Sequence, residues 1–230
     1  MSFSIEFVGL PGVGKSTLSN QVSEALVNEN FQVTEPIRSI DDRSTPHRVL
    51  SKIRFVAEHF VRRPRTSFRT SHTLIQTDQD SVSDFVRVAF NLHYVAGVIV
   101  HARSGTGVTL FDQGPYQGVW SIGLRSTIDW DLLLDRFTRF LAQTAPDLIV
   151  FVEADTDTIV DRLHSREDGN TRFDPDTLSF ERGIEGYRSL KTRVRSRSES
   201  PRSIVIQNET HADLNAAVER IVASLNSFED

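Results

Sequence analysis

Cysteine is absent from the 230-residue chain, and its absence excludes disulfide bonds and metal sites built on thiolates. No run approaches the roughly 18 apolar residues that a membrane-spanning helix needs, and the amino terminus lacks the charged and apolar regions of a signal peptide. A reducing compartment is compatible with this composition. We therefore expect a protein of the cytoplasm.

A strong net charge is also absent. The formal charge of −5 gives no general attraction to nucleic acid or to an anionic membrane surface, so neither is expected as a partner. Any anionic ligand must then be held locally. The seven histidines include no HExxH sequence and no close ligand pair, so no tightly bound transition metal is expected. Whether the chain forms a homodimer stays open.

The most informative segment lies between Gly9 and Thr17 and reads Gly-Leu-Pro-Gly-Val-Gly-Lys-Ser-Thr. Backbone N–H groups in such a turn, with the positive end of the following helix, form a site for a polyphosphate. Lys15 would neutralise the β- and γ-phosphates, and the Ser16 hydroxyl would hold a Mg²⁺ ion that bridges the same oxygens. The predicted nucleotide-binding residues here are Leu10, Pro11, Gly12, Val13, Gly14, Lys15, Ser16 and Thr17.

Five apolar segments are typical of buried strands, at 3–8, 31–34, 107–111, 148–152 and 204–207. Helical patterns separate these strands. The first directly follows the phosphate-binding segment Gly9–Thr17, called the P-loop below, and the others lie at 83–101, 129–143, 156–165, 175–194 and 212–225. The alternation predicts one α/β domain over residues 1–230, with a parallel sheet that binds ligands outside the carboxyl ends of its strands. The polar segment 38–80 is either a cover over the molecule that would accept a phosphate or a plain surface insertion.

Several segments together resemble the thymidylate kinase and deoxynucleoside kinase branch of the P-loop nucleoside and nucleotide kinases. Thr34-Glu35-Pro36 resembles the Glu-Pro after their second strand, and 108–112 resembles their third strand with its terminal acid. Tyr116-Gln117-Gly118 is similar to a sequence of thymidylate kinases, 145–152 to the fourth strand, 162–174 to the lid, and 180–187 to the helix after it. The resemblance implies a five-stranded parallel sheet in the order 2-3-1-4-5, helices on both faces, a lid and phosphoryl transfer.

One departure from these families concerns the acceptor. They follow the third-strand acid with an arginine that grips the phosphate or hydroxyl end of the acceptor, whereas this chain has Gln113. The helix before that strand also lacks a clear equivalent of the families' acceptor-binding arginine, for which Arg87 is a candidate substitute. The resemblance therefore implies the fold and the reaction type, but not thymidylate as the substrate.

Charged residues at strand ends and in the lid segment are the catalytic candidates. Asp112 is placed to accept from a Mg²⁺-bound water, or it caps a turn. Glu35 would take a proton from an acceptor hydroxyl or orient an acceptor group, or it is a turn residue before a proline. The lid arginines would fold over the phosphates, or they pair with nearby acids on a solvated surface. The predicted set is Lys15, Glu35, Asp112, Arg166 and Arg172 for catalysis, Arg162 for the nucleotide, and Ser16 and Asp112 for the metal.

The acceptor pocket is expected between the helix before the third strand and the loop after it. Aromatic residues there would stack on a flat base or belong to the core. The leading hypothesis is a kinase that uses ATP and Mg²⁺ to phosphorylate a nucleoside, a nucleoside monophosphate or a similar small molecule. The alternative is a regulatory P-loop NTPase that hydrolyses ATP or GTP without such an acceptor, although a guanine-reading Asn-Lys-x-Asp sequence is missing. The predicted acceptor residues are Glu35, Arg87, Asn91, Tyr94, Tyr116 and Gln117.

Overall fold

A parallel sheet organises the computed structural model, which describes residues 2–42, 44–165, 173, 175, 177–197 and 200–226. The strands are β1 (Ser2–Val8), β2 (Val33–Thr34), β3 (Gly107–Phe111), β4 (Leu148–Glu153) and β5 (Arg202–Gln207). The helices are α1 (Lys15–Asn28), α2 (Pro36–Asp41), α3 (Thr45–Arg62), α4 (Pro64–Ile75), α5 (Val82–Ala102), α6 (Pro115–Gly123), α7 (Trp130–Thr144), α8 (Thr156–His164), α9 (Leu178–Ser196) and α10 (His211–Asn226).

The strands lie in the order β2-β3-β1-β4-β5, and all their pairings are parallel. This confirms the predicted fold class and strand order. β1 lies at the centre, where Ile5 and Phe7 are fully buried between helices on the two faces. Because Glu6 pairs with Phe111, the carboxyl ends of β1 and β3 meet at one edge of the sheet. The P-loop after β1 and Asp112 after β3 are therefore neighbours.

The second strand is shorter than predicted. Asn30 adopts a left-handed conformation with φ 68°, and the Phe31 amide turns back to donate to the Leu26 carbonyl at the end of α1. Only Val33 and Thr34 form the strand that pairs with β3, although the Gln32 carbonyl also accepts from the Val108 amide at 2.8 Å. The prediction of a strand from residue 31 is wrong in its start, because Phe31 belongs to the turn that closes α1.

Segment 38–80 contains helices that the sequence patterns did not predict. The end of α2, the whole of α3 and the whole of α4 fall in it, and α3 packs along α5. The contact is close at Gly97 of α5, where an added Cβ would lie 2.0 Å from the Phe55 carbonyl oxygen. The segment is thus an ordered helical layer beside the β2 edge of the sheet.

The longest helix, α5, is a core helix. Among the described helices it alone is long and apolar enough to cross a membrane by length and composition, and 50% of that window is buried inside the protein. Leu92 and Ala96 pack into the main core, whereas Val98 and Ile99 join Phe111 in a smaller cluster on the other side. Its apolar character is explained by packing on both sides.

Candidate active site

The P-loop connects the central strand to the first helix. Gly12 and Gly14 have φ values of 93° and 88°, a left-handed conformation that side chains with a Cβ rarely adopt. Gly14 is the N-cap of α1, so the first amides of that helix point into the loop. The Lys15 ammonium donates to the carbonyls of Gly9 at 2.8 Å and Leu10 at 2.9 Å, which holds it over the loop. The backbone therefore has the cradle shape that a phosphate chain needs.

Some residues of the P-loop pack into the core, and the others line an open cavity. Leu10 and Val13 are 6% and 1% exposed, pack into the core and do not line the cavity beside the loop. The remaining predicted nucleotide-binding residues of the loop line one open cavity, namely Pro11, Gly12, Gly14, Lys15, Ser16 and Thr17.

Arg162 braces the P-loop from behind. Its guanidinium donates to the carbonyls of Gly12 at 3.4 Å, Asn208 at 3.1 Å and Glu209 at 3.1 Å. The Asn208 side-chain amide also donates to the Val13 carbonyl at 2.7 Å. Arg162 thus connects α8 to the P-loop and to the segment after β5. These hydrogen bonds to protein carbonyls were not part of the prediction, which placed Arg162 at the nucleotide.

A cavity of about 510 Å³ extends from the P-loop towards α5 and α6. Three of the predicted acceptor residues line it: Arg87 and Asn91, one turn apart on α5, and Gln117 on α6. The predicted nucleotide and acceptor sites are therefore continuous. The other lining residues are Val88, Leu92, Val95, Asp112, Gln113, Gly114, Gly118, Trp120, Ser121, Leu124 and Phe173.

Asp112 is the one carboxylate among the described residues that line this cavity. Burial raises the pKa of its carboxyl, the charges of Asp41 and Glu35 raise it further, and the Lys15 ammonium lowers it. The influence of Asp41, at the end of α2, was not anticipated from the sequence. Asp41 forms an ion pair with Lys52 at 2.7 Å. Asp112 and the Ser16 hydroxyl both border the cavity, and two oxygen donors of this kind suit a hard cation such as Mg²⁺.

Two predicted acceptor residues lie in the core instead. Tyr94 is 3% exposed in the smaller cluster, and its hydroxyl has no hydrogen-bond partner among the described residues. Tyr116 is 4% exposed in the main cluster. Neither lines the 510 Å³ cavity: Tyr94 contacts Phe55 and Lys52 of α3, and Tyr116 packs in the main core. The structure therefore does not bring these two side chains together with Arg87, Asn91 and Gln117, and their role towards the acceptor stays a prediction.

Glu35 lines a different cavity, of about 720 Å³, between the β2 edge, α3 and the end of α5. The Ser19 hydroxyl donates to its carboxylate at 3.4 Å, and Arg38 pairs with it at 3.5 Å. Described residues of 38–80 that border a cavity, such as Ser51 and Arg54, border this one rather than the P-loop cavity. Glu35 therefore lines a cavity other than that of Asn91 and Gln117, although its charge acts on Asp112 in the P-loop cavity.

Glu6, which was not among the predicted site residues, is fully buried in β1. The Gln117 amide donates to its carboxyl at 2.8 Å, and the Gln117 side-chain oxygen accepts from the Gly9 amide at 3.1 Å. An added Cβ on Gly114 would lie 2.3 Å from the Glu6 carboxyl carbon. Glu6 therefore caps α6 and, through Gln117, couples that helix to the P-loop. A signal was available, because the central strand of a sheet covered on both faces has no solvent-facing side.

Burial raises the pKa of Glu6 to about 8, against the lowering effect of the amides of Gln117, Tyr116 and Gly114. Desolvation therefore outweighs the hydrogen bonds, and the carboxyl is largely protonated at neutral pH.

The proposed lid is described only at its ends. Arg166 and Arg172 lie outside the described residues, so their predicted roles stay predictions. Phe173 is 1% exposed, contacts the Trp120 ring at a centroid distance of 5.7 Å and lines the cavity. Trp120 therefore belongs to both the core and the cavity wall, and it donates through its ring nitrogen to the Gly183 carbonyl at 2.8 Å.

Known structures share this fold, although no family model matches the chain and no curated protein matches it. Deoxyadenosine kinase from M. mycoides, with the products dCMP and a flexible dCDP bound, has a TM-score of 0.57 at 14% identity, over 98% of this chain and 100% of that chain. The same enzyme with bound dATP has a TM-score of 0.55 at 14% identity, over 97% and 100%. Thymidylate kinase from Ehrlichia chaffeensis has a TM-score of 0.54 at 14% identity, over 97% and 98%.

These similarities confirm the resemblance at the level of the fold. They extend over nearly the full length of this chain and of each similar chain. A shared fold does not fix the reaction, which depends on the residues that line the cavity.

Proposed function

We propose that the protein is an ATP-dependent kinase that transfers the γ-phosphate to a nucleoside, a nucleoside monophosphate or a similar small molecule in the cytoplasm. The observation that carries the proposal is the single cavity shared by the P-loop and by Arg87, Asn91 and Gln117. A site that joins a triphosphate cradle to a second pocket can hold donor and acceptor side by side, which phosphoryl transfer requires.

On the donor side, the loop amides and Lys15 bind the triphosphate. Lys15 is close enough to the loop to exchange its two carbonyl partners for phosphate oxygens. Ser16 and Asp112 would hold Mg²⁺, which supplies charge neutralisation on the transferred group. Arg166 and Arg172 are proposed to approach the phosphates from the lid.

On the acceptor side, amides outnumber charges. Among the described residues that line the cavity, Asn91, Gln113 and Gln117 offer hydrogen bonds, whereas Arg87 is the one arginine. Val88, Leu92, Trp120 and Phe173 supply an apolar wall. This combination suits a flat, polar-edged acceptor such as a nucleobase derivative.

Removal of a proton from an acceptor hydroxyl, or orientation of the acceptor, is proposed for Glu35. Glu35 lines the neighbouring cavity, and its charge raises the pKa of Asp112 in the shared one. Asp112 keeps the proposed metal-binding role.

The test is consumption of ATP against a panel of nucleosides, nucleoside monophosphates and small alcohols, with mass detection of the product. We expect one class of acceptor to stimulate ATP consumption and to gain one phosphate. Arg87→Gln should then raise KM for that acceptor while leaving KM for ATP unchanged, and Arg139→Gln, an exposed arginine of α7, is the matched control. Equal ATP consumption with and without every acceptor would support the regulatory NTPase instead.

A further inference from the structure

The solvent-facing side of α3 is apolar. Val49, Leu50, Ile53 and Val61 are 48%, 66%, 49% and 80% exposed, whereas His59 on the opposite side is 1% exposed. At about 100° per residue, the exposed apolar positions fall within an arc of roughly 120°. An ordinary surface helix turns such an arc towards the core. This arrangement is therefore expected only if the exposed side is covered by something else.

Helix α4 continues this apolar side. The ring of Phe68, 68% exposed, lies 6.0 Å from the ring of Phe60, which falls within the same arc of α3. Ile75, two turns further along α4, is also 68% exposed. We call these exposed residues the α3–α4 face; its members are Val49, Leu50, Ile53, Val61, Phe68 and Ile75.

Positive charge surrounds the α3–α4 face. Between residues 44 and 76 the sequence has seven arginines and lysines and one acidic residue, Glu58, in a chain whose net charge is −5. Glu58 pairs with Arg62 at 3.1 Å. Arg54, Arg65 and Arg69 are exposed and have no carboxylate partner among the described residues. The region around the α3–α4 face is therefore basic, although the chain as a whole is acidic.

We propose that the α3–α4 face docks on an anionic lipid bilayer. Amphipathic helices with an apolar side and a border of arginines lie at the interface of such membranes, where the apolar side enters the acyl boundary and the arginines meet the headgroups. The acidic remainder of the molecule is repelled by the same surface, which fixes the orientation.

Charge also decides against a second copy of the chain on this face. A twofold-symmetric contact would bring two copies of this net-basic region into one interface, because the same surface of each subunit takes part. An anionic bilayer neutralises the cluster instead. The expectation that no membrane is a partner was based on the net charge of the whole chain. That value does not show the excess of basic residues between 44 and 76.

The test is co-sedimentation of the full chain with vesicles of phosphatidylcholine alone and with vesicles that also contain phosphatidylglycerol. We expect binding to the anionic vesicles only, and weaker binding as salt is added. Arg65→Gln/Arg69→Gln should weaken binding by about fivefold for each arginine replaced. Leu50→Gln should weaken it as well, because the apolar contact is lost.

The matched control is Arg188→Gln/Arg195→Gln, which removes the same charge from exposed positions of α9. It should bind the anionic vesicles as the unmodified chain does. Equal loss in both double variants, or no preference for anionic over neutral vesicles, would overturn the proposal. A dimer in solution that Leu50→Gln dissociates would overturn it in favour of self-association, and binding to an oligonucleotide but not to vesicles would overturn it in favour of a nucleic acid.

Discussion

At the residue scale, Glu6 illustrates how burial can override hydrogen bonding. The carboxyl caps the first turn of α6 and the amides there favour its ionised form, yet full burial in β1 raises its pKa to about 8. Because the folded chain binds this proton more tightly than the unfolded chain, the stabilisation is complete below about pH 4.5 and declines as the pH rises towards 8.

We predict that Glu6→Gln removes this pH dependence. The amide keeps the size of the side chain but has no proton to lose. In the variant, residue 6 should therefore contribute no fall in the free energy of unfolding between pH 5 and 8. In the unmodified chain the decline from Glu6 should be on the order of a few kcal/mol. Urea denaturation at several pH values measures it.

Glu24→Gln, at an exposed position of α1, is the control and should keep the full decline. Identical pH profiles for the Glu6→Gln variant and the unmodified chain would mean that Glu6 is not protonated in the fold.

A second residue-scale prediction concerns Asp112. Asp112→Asn keeps the shape of the side chain but removes the negative charge beside the P-loop, so kcat should fall by at least about a hundredfold. Binding of ATP without Mg²⁺ should change little. Steady-state kinetics with the acceptor from the panel tests this, with the exposed Asp157→Asn as control. A kcat within a few-fold of the unmodified enzyme would remove Asp112 from the mechanism.

At the scale of secondary-structure elements, Arg162 has two alternative roles: it connects three parts of the fold, or it binds the phosphates of the nucleotide as predicted. Its guanidinium joins α8 to the P-loop and to the segment after β5 through three carbonyls. Arg162→Gln should therefore lower the free energy of unfolding by about 1–3 kcal/mol. Thermal denaturation measures this against Arg188→Gln. Unchanged stability with weaker ATP binding would instead support the predicted contact with phosphate.

A buried histidine pair joins α3 to α5. The Nδ1 atoms of His59 and His93 are 3.1 Å apart, and Ser71 of α4 lies 3.0 Å from the Nε2 atom of His93. Burial lowers the pKa of each imidazole to about 4, with the Arg63 charge contributing at His59 and the His59 charge at His93. Both are neutral at pH 7, so one donates and the other accepts.

We predict that acid destabilises the chain through this pair. Since the unfolded histidines bind protons below about pH 6.5 and the folded ones do not until about pH 4, stability is lost as the pH falls through that window. His59→Asn should remove roughly half of this acid-dependent loss. Denaturation at pH 7 and pH 4.5 measures it, with the exposed His164→Asn as control. An unchanged loss in His59→Asn would contradict the neutral pair.

How far the elements could be predicted depended on how clear the local pattern was. The strands and the P-loop were predictable because apolar runs and glycine spacing are local signals. Helix α3 was not predicted, although Val49, Ile53 and Phe60 recur at helical spacing, because the segment 38–80 was interpreted from its polar composition. Helix α6 begins at Pro115 and has 9 residues, too few for a clear helical period. Glu6 occupies the polar position of an alternating strand pattern, which by itself indicates a side chain that faces solvent. It is buried because helices cover both faces of the sheet at β1.

At the scale of the whole molecule, the sequence predicted some arrangements and not others. Arg87, Asn91 and Gln117 were expected in an acceptor pocket, and the strand order implied by the resemblance explains why the P-loop shares a cavity with them. The burial of Tyr94 and Tyr116 was not predicted, because it depends on long-range packing. Likewise, the excess of arginine and lysine between residues 44 and 76 is visible in the sequence, whereas the exposure of the α3–α4 face is not.

The central claim is that the P-loop binds a nucleoside triphosphate with its metal ion, and calorimetric titration of the purified chain with ATP and Mg²⁺ tests it most directly. We predict heat from a single site, and binding at least about tenfold weaker in Lys15→Ala than in the unmodified chain, because an ammonium that meets phosphate is lost. Lys191→Ala, which removes the same charge from α9, should bind as the unmodified chain does. No detectable binding of ATP by the unmodified chain in the presence of Mg²⁺ would contradict the account.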